Sequence, residues 1–138
     1  MKLRYGHFDS QLRFGFKHAS AHREKTQNVI VSIEDNNALI GYGEGCPREY
    51  VTGEDQESCF EFFEKHGTFL SHNIKDLAEL EHWIKSNTAV IDKYPSAFCA
   101  LEMALLDLMA RQKSISIERL LKLPDLETPL LYSAILGA

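Results

Sequence analysis

The chain has 138 residues, 44% of them hydrophobic and 25% charged, and a formal net charge of −5. Those values exclude an intrinsically disordered chain, and the acidic balance argues against a general nucleic-acid binder, whose footprint is a basic face. No apolar run approaches the roughly 20 residues of a membrane span and Met1–Ser10 has no apolar signal core, so the expectation is a single cytoplasmic domain with a core of ordinary size.

Up to about Pro47 the pattern is that of strands. Leu3 to Phe8 reads as a first strand, and Val29 to Ile33 as a second, β-branched one. Asn36-Asn37 follows as a hairpin turn, since Asn tolerates positive φ. Ala38 to Gly45 reads as the return strand. Its glycines at 41, 43 and 45 alternate with larger residues, which leaves one face bare and predicts close approach of another backbone or a packed helix.

Beyond Pro47 the pattern turns helical. Thr52-Gly53-Glu54-Asp55 has the look of a capping arrangement, a hydroxyl followed three residues on by an acid. Cys59, Phe60 and Phe63 then form an apolar stripe, and Gly67 is expected to close that helix. Asn73 is the expected N-cap of the next helix, with Leu77, Leu80, Trp83 and Ile84. Pro95 suits the first turn of a third helix. There Phe98, Leu101, Leu105, Leu108 and Met109 repeat at three and four, and alanines fill the remaining faces, so Ala97 to Ala110 should be buried on more than one side. Ser116 opens a short helix to Leu121. Pro124 and Pro129 bracket a linker, and Leu130 to Gly137 reads as an apolar strand of the kind buried on both faces in a parallel sheet.

Residues that might carry chemistry are few. His18 and His22 stand four apart, a zinc spacing on a helix, but they lie between predicted strands, without an HExxH pattern or a third ligand. A polar loop is the better reading, and no metal site is expected. Cys46, Cys59 and Cys99 are far apart, with no CxxC; free thiols are expected, and no nucleophile motif surrounds them. Glu102 and Asp107 sit on too apolar a helix for a solvent cleft, so ion pairs or caps are expected rather than acid/base work. Two segments mix aromatics, glycines and cations as ligand-contacting loops do, although composition alone favours a solvated turn plus a helix cap. The first is Phe14 to Ala19 with Arg23; the second is Gly45 to Glu54.

Taken in order, Phe16-Lys17-His18-Ala19, Thr26-Gln27-Asn28-Val29-Ile30-Val31, Gly41-Tyr42-Gly43-Glu44-Gly45-Cys46-Pro47, Val51-Thr52-Gly53-Glu54, Ala100 to Asp107 and Leu120-Leu121 closing into Tyr132-Ser133-Ala134-Ile135 resemble the N-terminal capping domain of the enolase superfamily. The branch is that of mandelate racemase and muconate lactonising enzyme, nearest to dipeptide epimerases and muconate cycloisomerase-like members. The resemblance implies an α+β fold: a three-stranded antiparallel meander, then a three- to four-helix bundle. It divides the chain into a capping domain over 1–125 and, over 126–138, a linker with the first strand of an absent (β/α) barrel. In this family the capping domain covers the mouth of that barrel. The barrel brings the acid/base lysines and the carboxylates for Mg²⁺, which stabilises an enediolate formed next to a carboxylate. The implied function is substrate capping and specificity in a Mg²⁺-dependent racemase, epimerase or cycloisomerase. The chain itself is expected to hold no cofactor, no catalytic residue and no turnover of its own.

The resemblance carries over substrate-contacting candidates only from the two segments: Phe16, Lys17, His18 and Arg23 from the first, Arg48, Tyr50 and Thr52 from the second. Their cations would suit an anionic group on a small carboxylate substrate. Members that use acidic dipeptides place an arginine where this chain has Ala21, which leaves the substrate open. The expected partners are that substrate, the missing barrel and a second copy, through a homodimer or other self-association of the exposed barrel-facing surface; nucleic acid and membrane are not expected. The alternatives are a free-standing small-molecule-binding or protein-interaction module on the same fold and, more remotely, a small enzyme using His18 or His22.

Overall fold

The computed structural model describes residues 1–18, 21–124, 129 and 131, with 14, 16–18 and 21–23 described by their backbone. Three strands, β1 (Lys2–His18), β2 (Ala21–Glu34) and β3 (Ile40–Gly45), form one antiparallel sheet in the order β1-β2-β3. Helices follow: α1 (Glu49–Thr52), α2 (Gln56–Phe62), a π-helical turn (Phe63–Gly67), α3 (Thr68–Asn73), α4 (Leu77–Ser86), α5 (Thr88–Lys93), α6 (Pro95–Lys113) and α7 (Ile117–Leu120). The expected α+β class, a three-stranded meander followed by a helical bundle, is what the chain adopts. The expected strand at 130–137 and the linker before it lie outside the described residues.

Period-two alternation sorts the sheet into two faces. Val29, Val31 and Ile33 are fully buried on the helix side. Gly41, Gly43 and Gly45 pair beside them, opposite Ile33, Val31 and Val29. The glycines admit α6. A Cβ at Gly41 or Gly43 would run into the carbonyl oxygens of Ala104 and Ala100, and one at Gly45 would lie 2.5 Å from the Ser96 carbonyl oxygen. Helix α6 therefore rests on bare backbone with its Ala100 and Ala104 face, and turns Phe98, Leu101, Leu105 and Met109 into a core shared with Phe62, Phe63, Leu70 and Leu80. Burial on more than one side, expected for Ala97 to Ala110, holds.

Several local expectations are corrected. β1 does not stop at Phe8: pairing with β2 runs from Lys2↔Glu34 to His18↔Ala21. Cross-strand pairing there supports polar residues that have no strand preference of their own. In the β2–β3 turn the positive φ falls on Ala38 (61°) and not on an asparagine, because Asp35 Oδ1 accepts the Asn37 and Leu39 amides and sets the turn. Gly67 does not close its helix. Its φ is −62°, outside the left-handed region a C-cap glycine uses, and its bare Cα faces Leu3, whose Cδ2 would lie 2.6 Å from an added Cβ. Asn73 ends α3, donating to the Phe69 carbonyl; the N-cap of α4 is Asp76, which accepts the Glu79 amide at 2.9 Å.

Candidate functional site

The two suspect segments leave the same end of the sheet. β3 makes its last pair at Val29↔Gly45, whereas β1 and β2 continue past it as a two-stranded arm. The arm carries all four candidates of the first segment. Phe16 pairs with Arg23, Lys17 with His22 and His18 with Ala21, so this stretch is hairpin strand where the sequence suggested a loop. Between Gln11↔Lys25 and Phe16↔Arg23 the chain advances five residues on β1 and two on β2, leaving three extra on β1. Such a bulge bends and twists the arm, and Gly15 lies within it. His18 and His22 are placed by the hairpin, not by a helix, so the i, i+4 zinc geometry does not arise.

The second segment is held at both ends. At its start the Arg48 guanidinium donates to the Pro47 carbonyl (2.6 Å), the Gln27 carbonyl (3.3 Å) and Asn28 Oδ1 (3.1 Å). Residues 49–52 then form the single turn α1, which ends at Gly53 in the left-handed conformation, φ 75°. Next come two adjacent acids that cap two different helices. Glu54 is only 1% exposed, and its carboxylate accepts the Ser96 amide (2.8 Å) and the Ala97 amide (3.1 Å) at the start of α6. Tyr94, at the N-cap position of α6, makes no side-chain cap of its own, so the orphan donors of that helix are satisfied from 42 residues away. Asp55 caps α2 through Ser58 in a reciprocal box, and the Ser58 amide holds its carboxyl below the usual carboxylate range. The capping arrangement anticipated from Thr52 is thus carried by Asp55 and Ser58. Thr52 Oγ1 instead donates to the Arg48 carbonyl.

These anchors decide which candidates the segment presents. Arg48 and Thr52 are turned into the scaffold, while Tyr50 is 47% exposed and Val51 69%. Val51 was not anticipated as a site residue; only its place between two anchored residues marks it. A cleft of about 130 Å³ lies between this segment and β2, lined by Gln27, Arg48, Tyr50, Asp55 and Gln56 among others. A larger cleft, about 600 Å³, runs along α3 and α4 past Phe69 and Trp83 and touches none of the candidates. Glu102 and Asp107 do not form a carboxylate pair: Asp107 accepts the Tyr42 amide and pairs with Arg111, and burial raises the Glu102 carboxyl.

Residues 7–122 match the family model of the mandelate racemase / muconate lactonizing enzyme N-terminal domain. The chain belongs to that family. The chain is 30% identical over 102 residues to a hydrophobic dipeptide epimerase of Enterococcus faecalis, covering 71% of this chain and 27% of that one. It is 30% identical over 96 residues to an N-succinyl-L-Arg/Lys racemase of Bacillus cereus, covering 68% and 25%. Among solved structures it resembles a dipeptide epimerase of Methylococcus capsulatus complexed with Mg and the dipeptide L-Arg-D-Lys, with a TM-score of 0.73 and 25% identity, over 87% of this chain and 34% of that one. The chain thus spans about a quarter of the length of the curated relatives it matches.

Among the described residues no three His, Cys, Asp or Glu side chains come together in a way that would hold a metal ion. Glu54, in the second segment, and Asp55, next to it, are spent on backbone amides. No helix among the described residues is long and apolar enough to cross a membrane.

Proposed function

We propose that this domain is the substrate-capping and specificity element of a Mg²⁺-dependent epimerase or racemase that abstracts a proton next to a carboxylate. The support is the family match over residues 7–122 together with relatives named as dipeptide epimerases and an N-succinyl amino-acid racemase. In this reading the acid/base groups and metal ligands belong to a barrel, and the arm and the second segment roof its mouth. Roofing excludes water and selects the substrate. The protein would work in the cytoplasm, in keeping with the free thiols of Cys46, Cys59 and Cys99.

The surface that the second segment exposes supports a narrower reading of the substrate. Arg48 is committed to three acceptors on its own scaffold, whereas Tyr50 and Val51 stand out from it. That surface favours a dipeptide-like carboxylate with an apolar side chain over one with a second carboxylate. The test is a hybrid in which this chain replaces the corresponding domain of the Enterococcus faecalis epimerase. α-Proton exchange of a dipeptide set is followed in D₂O with Mg²⁺. The hybrid should exchange hydrophobic dipeptides at least tenfold faster than acidic ones, and the 138-residue chain alone should exchange none. A folded hybrid that exchanges no dipeptide, or turnover by the chain alone, overturns the reading.

A further inference from the structure

At the point where the arm leaves the sheet, one residue bonds to β3, to the second segment and to α2. Asn28 pairs with Phe8 at the root of the arm, one residue before the last β2–β3 pair. Its Nδ2 donates to Glu44 Oε1 on β3 at 2.5 Å. Its Oδ1 accepts from Arg48, at the start of the second segment, at 3.1 Å. Its backbone carbonyl accepts from Gln56 Nε2 at 2.8 Å, just past the end of that segment. Gln56 Nε2 also reaches Asp9 Oδ1 (2.9 Å) on the opposite strand of the arm, and Asp9 is held from its other oxygen by Lys25 (2.9 Å). The chain of contacts is therefore Lys25–Asp9–Gln56–Asn28–Arg48, with Glu44 fixing the amide's orientation.

An amide suits this node as no other side chain of its size does. It must donate to a carboxylate and accept from a guanidinium at once, and Asn offers one group of each kind. Bonds to charged partners are the stronger sort, and a network with every member satisfied fixes a single arrangement.

We propose that Asn28 is a positioning residue that locks the arm and the second segment to one another, so that the two capping elements hold a fixed relative geometry. Asn28 contributes no contact to substrate. Its side chain acts through Arg48 and Glu44, beside a backbone bond from Gln56 that substitution of the side chain leaves in place. The inference rests on the capping reading only for what the two segments are for; the lock itself is a property of this chain and can be measured without substrate.

The measurement is amide hydrogen exchange on the 138-residue chain. Three regions are compared: the paired amides of Ser10, Gln11 and Lys25 to Gln27 on the arm, those of Val51 to Gly53 in the second segment, and those of Leu101 to Leu108 in α6. Asn28→Ala should speed exchange about tenfold in both capping elements and leave α6 unchanged, as expected for loss of charge-assisted bonds in a locally opening region. Asn28→Asp should loosen them as well, since it sets a second carboxylate against Glu44. Adding Glu44→Gln to Asn28→Asp swaps donor for acceptor and should restore protection in both. Loosening of one element alone, an equal rise in α6, or a double variant no better protected than Asn28→Asp overturns the assignment. If Asn28→Ala fails to fold, the comparison of Asn28→Asp with the double variant decides alone. Loss of the lock would leave the hybrid-enzyme result standing, and failure of the hybrid would leave the exchange result standing.

Discussion

At Gly43 the β3 backbone runs so close beneath the Ala100 carbonyl that an added methyl has no space. The obstruction is helix backbone, which cannot turn aside as a side chain can, so relief requires lifting α6 off the sheet. Gly43→Ala should cost about 3 kcal/mol or more, beyond ordinary overpacking, and a urea melt within 0.5 kcal/mol of the parent would contradict the packing described. Ala38 is the opposite case. It holds φ 61° without being glycine, at a strain of about 1 kcal/mol. Ala38→Gly should remove that strain and give back part of it as unfolded-chain entropy, for a net gain of about 0.5 kcal/mol. The close approach at Gly41, Gly43 and Gly45 was legible in the sequence because alternation records which face is bare. The strain at Ala38 was not, because Asp35 imposes it from outside the residue.

Among the elements, the helix starts show where local reading succeeds and where it fails. Pro95 marks the start of α6 correctly, since its missing N–H costs nothing there. The cap of α6 is another matter: Glu54 supplies it from 42 and 43 residues away, and no local window of sequence contains both partners. Asp55 caps locally and Glu54 remotely, so the two adjacent acids should behave differently. Asp55→Ala should cost about 1 kcal/mol, as cap losses usually do. Glu54→Ala strands two buried amides and should cost about 2–4 kcal/mol. Glu54→Gln, which keeps one acceptor oxygen, should fall between them. Equal urea midpoints for Glu54→Ala and Asp55→Ala would remove the remote cap from the account. The same distinction explains the site. Composition singled out the two segments without deciding between ligand contact and a solvated turn with a helix cap, and the inward turn of Arg48 depends on Gln27 and Asn28, which lie on another element.

For the whole molecule, the acids that join one element to another set the response to pH. Asp9 is held below its usual range by the bonds from Lys25 and Gln56, and joins the arm to α2. Asp35 is held low chiefly by Gln112, and then by the Asn37 and Leu39 amides, and joins the β2–β3 turn to α6. Asp55 is held low by the Ser58 amide. A carboxyl whose folded pKa lies below its unfolded value of about 4 stabilises the fold fully above that value, and the contribution is lost as pH falls through the folded pKa. Glu102, raised by burial, has the reverse sign: it favours the fold at low pH, and that contribution is lost as pH rises through its raised folded value. Two depressed acids at junctions between elements, Asp9 and Asp35, and two at helix starts, Asp55 and Glu118, stand against one raised acid, Glu102. The urea midpoint should therefore drop once pH passes below about 4, after an earlier decline below about 6.5 from His66, whose imidazole is held below its ordinary range by burial. Asp35→Asn should lower the neutral midpoint and flatten part of the acid drop, because the titrating junction is gone. A midpoint that rises between pH 5 and pH 3 would mean that burial of Glu102, rather than the cross-element acids, governs the molecule in acid.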